Sequence, residues 1–214
     1  MKVSDIFGQR VPDSKMARDA TQLIRDTASE LLFQHSVRVY FWAALIGQRQ
    51  SLKFDAELLY TAAMFHDFGL TSGCRTSQLR FEVDGANAAR AFLHSHGLSA
   101  HDIERVWLAI ALHTTPGITQ YLDPEIALLH AATAMDVVGV GYEQFTDAER
   151  DAVTTAYPRG ADFKNGIIDA FYEGMKHRPD STLGTLNDDY LACKDPNFRR
   201  VDICRLILSS PWPS

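Results

Sequence analysis

The chain has 214 residues, 46% hydrophobic and 22% charged, with a net charge of −6, enough to bury a real core as one large domain or one domain with an appendage. The acidic balance supplies no cationic surplus for phosphate backbones and argues against a nucleic-acid partner. Cys74, Cys193 and Cys204 share no CxxC spacing, and no apolar run reaches ~18 residues, so reduced thiols in a soluble, cytoplasmic protein with no signal segment and no membrane partner are expected.

Residues 1–14, with Pro12, read as a loosely held arm, and Asp13 or Ser14 caps the first helix. Met16, Ala20, Leu23, Ile24 and Ala28 are spaced for that helix over 15–30. A second helix over 31–48 carries Leu32, His35, Val39, Trp42, Ala43 and Ile46 on its inner stripe, with Arg38 three residues beyond His35 and Tyr40 facing elsewhere. A third helix, over 52–65 and capped by Asp55, ends on the doublet His66-Asp67. The polar stretch 69–79 predicts a loop. Helices come next over 81–96, stopped by Gly97, and over 100–113, capped by Ser99. Asp123-Pro124 opens another that runs through Asp136 to Gly139. Thr146 and Glu149 form a capping box for 146–155. A helix over 163–176, a loop over 177–198 and a short helix over 199–208 close the chain. No period-two run, internal repeat or Gly-rich phosphate loop interrupts this pattern, so the class is all-α.

Four polar residues fall within or at the ends of apolar helices: His35, His66, Asp67 and Asp136. A carboxylate taken out of water is costly unless it is paired or bound to a metal. Asp136 at the C-terminal end of a helix also sits at the wrong pole of the helix dipole, so a cation or donor should stand nearby. Two imidazoles and two carboxylates suit a divalent ion. Such an ion lowers the pKa of its bound water towards neutrality. Each residue also has a plain structural role open to it, and periodicity alone does not bring the four together.

The order His35 … His66-Asp67 … Asp136 resembles the HD-domain superfamily of metal-dependent hydrolases over residues 30–140. The resemblance implies an HD-domain helical bundle with additional C-terminal helices: an N-terminal arm and helix (1–30), a metal-binding core (31–140) and a helical extension packing on it (141–214). It implies His35, His66, Asp67 and Asp136 as ligands of one divalent metal, zinc first, with manganese, iron(II) and cobalt as alternatives. Two-metal members carry two further histidines. His113 matches one of them, but Phe81 stands where the other is expected, so a single metal is expected. The wording of 35–40, 65–71, 80–86 and 111–114 is similar to the cyanamide-hydratase-like branch, which hydrates a nitrile carbon with zinc.

On that reading His113 is the candidate proton shuttle, Glu82 lies at the pocket mouth, and Arg38 pairs with Asp67 or a bound anion. Phe68, Thr71 and Phe81 line the substrate pocket, and Trp42 and Trp107 pack in the core. The expected partner is a small nitrogenous molecule, nitrile- or amide-like, with a homo-oligomer left open. The alternatives are a nucleotide phosphohydrolase of the same superfamily and a non-catalytic, metal-stabilised helical module. Only Arg75, Arg80, Arg90 and Arg105 lie between residues 60 and 115 to serve a phosphate.

Overall fold

The computed structural model describes residues 5–211; residues 1–4, where the expected arm begins, and 212–214 lie outside the described residues. The described chain forms ten helices: α1 (Lys15–Thr27), α2 (Glu30–Arg49), α3 (Ala56–Phe65), α4 (Phe81–Ser95), α5 (Ala100–Leu112), α6 (Pro124–Val138), α7 (Asp147–Ala156), α8 (Phe163–Met175), α9 (Asp188–Lys194) and α10 (Ile203–Leu208). Among the described residues there is no strand, only an isolated bridge between Ile6 and Gln9. No helix of the described chain is long and apolar enough to cross a membrane.

Helix α2 is the axle. Fourteen of its twenty residues are buried, so its apolar residues must be covered on every side rather than along one stripe. It packs between α3 and α6, with α5 against both of those, α4 against α5, and α1 across α3. The helix starts reflect the local chemistry. Ser14, Ser29, Asp55 and Ser99 each accept a backbone N–H of the helix they open, and Thr146 and Glu149 form the reciprocal capping box of α7. Gly139, at φ +77°, ends α6 three residues after Asp136.

Two glycines bring the His-Asp corner onto α4. A Cβ on Gly69 would stand 2.0 Å from the carbonyl oxygen of Phe81, and one on Gly85 would stand 2.7 Å from that of Phe65. No side chain fits either approach. A second, smaller apolar cluster, Leu32, Leu70, Phe81, Phe163, Ile167, Phe171, Met175 and Leu191, joins α8 and α9 to this corner. Buried Arg178 reinforces the join. It donates to the carbonyls of Gly69 (2.6 Å), Leu79 (2.8 Å) and Gly174 (3.1 Å) and pairs with Asp84.

The structure departs from the sequence reading in five places. Residues 5–14 are not loose: Ile6 is buried, and the Tyr40 hydroxyl donates to the Arg10 carbonyl at 2.8 Å. Tyr40 is buried for the same reason, meeting Tyr60 edge to face, because α2 has no solvent face there. The first helix stops at Thr27, since Ser29 caps α2. In 177–198 a 3-10 turn (Pro179–Thr182) and α9 replace the expected loop, with Leu191 as anchor, and the last helix is only Ile203–Leu208, with no buried residue.

Candidate metal centre

Three helices deliver the polar cluster. His35 projects from the second turn of α2. His66 and Asp67 come directly after α3, where the chain tightens into a 3-10 turn at Phe68–Leu70. His113 comes directly after the last residue of α5. The Nε2 atoms of His35 and His66 are 3.1 Å apart. Asp67 Oδ2 lies 3.2 Å from His66 Nε2 and 3.6 Å from His35 Nε2, and Asp67 Oδ1 lies 3.7 Å from His113 Nε2. All four side chains are buried.

The far nitrogens fix the tautomers. His66 Nδ1 meets the Ala63 carbonyl and His113 Nδ1 the Ile110 carbonyl, each at 2.7 Å, and His35 Nδ1 meets Asp136 Oδ2 at 2.7 Å. Each acceptor lacks a proton, so each Nδ1 must carry one, and in the neutral rings each Nε2 presents a lone pair. Three lone pairs thus converge on a carboxylate whose two oxygens are buried with no hydrogen-bond partner. Burial of an unpartnered carboxylate costs several kcal/mol. A cation supplies what the arrangement lacks, and His35, His66 and Asp67 are spaced to hold one. The donor set therefore fits a divalent metal.

The titration of these groups carries the same message. Burial works against charge on every ring. It lowers the pKa of His35 despite Asp136, and together with repulsion from His66 it brings His113 down to about 4. Burial would also lower His66, but Asp67 outweighs it, and the His66 pKa is raised. Burial would raise Asp67, yet the facing imidazoles hold it at about 2. Asp67 is thus an anion that draws whatever positive charge the site can take.

Asp136, expected as the fourth ligand, is not in this cluster. It stands behind His35, with both oxygens occupied. Oδ1 accepts from Arg38 Nε (2.9 Å) and Trp42 Nε1 (2.8 Å), and Oδ2 accepts from Arg38 (2.9 Å) as well as His35. With two donors on each oxygen it has no free lone pair in plane, and in this structure its Oδ2 orients the His35 ring. Arg38 therefore pairs with Asp136, not with Asp67, and also donates to the carbonyls of Tyr157 and Pro158. Trp42 is more than core packing, because it too is a donor to Asp136.

Other expected site residues are displaced as well. Glu82 is fully buried rather than at a pocket mouth. Its Oε1 accepts from Arg80 (2.8 Å), Thr114 and Asn187 (2.9 Å). Phe68 packs against Phe65, and Phe81 lies edge-on to His113 and Phe171. Neither they nor Thr71 line the cavity beside Asp67. That cavity, about 140 Å³, is lined by His35, His66, Asp67 and His113, by one face of α6 (His130, Thr133, Ala134, Val137) and by Phe171, Leu186, Asn187 and Tyr190 from the C-terminal third. His130 Nδ1 donates to the His113 carbonyl at 2.8 Å. The spacing of 130, 133, 134 and 137 was readable as one helix face; the contribution of 186–190 had no signal in a stretch read as loop.

A family model, "HD domain", matches residues 32–150. No curated protein matches the chain.

Proposed function

This chain belongs to the HD-domain family, generally metal-dependent hydrolases, and from that premise we propose that it adds water to a small, neutral, nitrogenous substrate, nitrile- or amide-like, in the manner of the cyanamide-hydratase-like branch. His35, His66 and Asp67 would hold one divalent metal, zinc first. When bound, such an ion lowers the pKa of water and polarises an unsaturated carbon.

The chain's own residues do the rest. Asp136, braced by Arg38 and Trp42, keeps the His35 ring turned with Nε2 forward. The Ala63 carbonyl does the same for His66. His113, neutral near pH 7 and 3.7 Å from Asp67, would take a proton from water and return it to the product nitrogen. The smaller cluster around α8 and α9 closes the pocket from the C-terminal side.

The observation that carries the choice of substrate is the pocket wall. Among its described lining residues there is no lysine or arginine, whereas a phosphate ester calls for cationic donors around its oxygens. The volume is also well below the ~300–1,000 Å³ of pockets for drug-sized ligands. The test is metal content by mass spectrometry, paired with turnover of cyanamide, acetamide and deoxynucleoside monophosphates. About one zinc per chain and product from cyanamide or acetamide alone is the expected result. Turnover of nucleotides alone would replace the reading with a phosphohydrolase, and metal without turnover of any of them would favour the structural module.

A further inference from the structure

Asn187 is the first residue of the turn into α9, a position where asparagine ordinarily folds its side chain back to cap the helix. Here it makes no such bond. Its Nδ2 instead reaches across to α4 and donates to Glu82 Oε1 at 2.9 Å. The acceptor is a carboxylate whose pKa is lowered: burial would raise it, but Arg80, His113 and Thr114 overcome burial. An ionised carboxylate only accepts, so the amide can present only its nitrogen there, and its orientation is fixed. What remains is Oδ1, buried without a hydrogen-bond partner, on a residue that lines the pocket beside Asp67. An unsatisfied buried acceptor is costly to leave unpaired, and a ligand N–H would recover that cost.

We propose that Asn187 Oδ1 accepts an N–H from the substrate's primary amino or amide nitrogen, so that the pocket selects molecules bearing one over isosteres with a methyl group there. Glu82 is the positioning residue, holding the Asn187 amide with its oxygen free. This rests on the small nitrogenous substrate proposed above and narrows it: acetonitrile has the shape of cyanamide but offers no N–H. The surrounding walls, Phe171 stacked on Tyr190 at 4.4 Å together with Val137 and Leu186, give the methyl isostere no other penalty, so the preference comes from the hydrogen bond.

The test is calorimetric titration of the zinc-loaded full chain with acetamide and with acetone, its near-isostere without N–H. The readout is the ratio of the two dissociation constants and how it changes between variants. Wild type is expected to favour acetamide, and Asn187→Leu to lose about ten-fold of that preference. Glu82→Gln, which keeps the volume but lets the Asn187 amide turn over, is expected to lose part of it with zinc content unchanged. A ratio that is the same in wild type and Asn187→Leu, or wild type binding neither probe, would overturn the proposal. If Asn187→Leu does not fold, an unchanged ratio in Glu82→Gln overturns it equally. A wild type that keeps the preference yet hydrates no nitrile and hydrolyses no amide would break the reaction reading and leave this inference standing. Turnover of cyanamide with no preference would do the reverse.

Discussion

The two faces of His35 hold two buried aspartates in opposite conditions. In front, Asp67 has two oxygens without a single donor and three imidazoles turned toward it. Behind, Asp136 has four donor contacts from Arg38, Trp42 and His35, and a second arginine, Arg159, at 3.3 Å. Both carboxylates are anionic, and burial opposes this in both cases. Imidazoles hold down the pKa of Asp67; His35 and Arg38 hold down that of Asp136. The difference lies in what is left to offer. A carboxylate becomes a metal ligand when its lone pairs are starved, and becomes a scaffold when they are filled. Burial and charge, which the two share, do not distinguish them.

The sharpest way to break this contrast is to neutralise each aspartate in turn. Asp67→Asn removes the one carboxylate among the described residues that line the cavity in front of His35, and metal content should fall to background, a larger loss than the roughly 10–100-fold typical of an outer partner. A chelator should then lower the melting temperature of wild type but leave that of Asp67→Asn unmoved, since only the former has bound metal to lose. Equal zinc in the two proteins would remove Asp67 from the centre. Asp136→Asn should show the reverse balance. It leaves the buried Arg38 guanidinium without its counter-charge, costing about 3–5 kcal/mol in denaturant unfolding, while metal affinity falls only about 10–100-fold. Adding Arg38→Met should restore much of the stability and little of the affinity. Loss of all metal in Asp136→Asn, with stability intact, would return this residue to the ligand set.

Much of this was legible in the sequence. The caps Ser14, Asp55, Ser99 and the Thr146–Glu149 box were readable because a side-chain cap is a local event, although the cap at Ser29, which ends the first helix early, was not read. His35 and the doublet were visible as polar residues stranded in apolar helices. The filled state of Asp136 was half visible. His35, Arg38 and Trp42 recur at spacings of three and four, so one face of α2 carries three donors, and a carboxylate meeting that face will be saturated. Which carboxylate meets it depends on how α6 crosses α2, and no local pattern encodes that. The roof was not legible at all. Asn187 and Tyr190 belong to a seven-residue helix and its start, too short for periodicity to show, in a stretch whose glycine, prolines and asparagines read as loop.

The weakest test of the contrast lies far from the metal, at Glu149, another acid whose oxygens are filled. Oε2 accepts from the Thr146 backbone N–H and hydroxyl, both at 2.8 Å, and Oε1 pairs with Arg49, which ties α7 to the end of α2. Burial would raise its pKa, but the Thr146 donors and Arg49 lower it. A depressed folded pKa gives stability that is fully present above the ordinary glutamate value of about 4.3 and is lost as pH falls through the lower folded value. Glu149→Gln should therefore cost about 1 kcal/mol at pH 7, and the gap to wild type should close below about pH 4 in unfolding curves taken across pH. Zinc content should not change, because this acid, like Asp136, is occupied by protein donors, but unlike Asp136 it touches no ligand. A Glu149→Gln variant that lost metal would mean that α7 and the far end of α2 help set the position of His35, and the separation of front from back would have to extend along the whole helix.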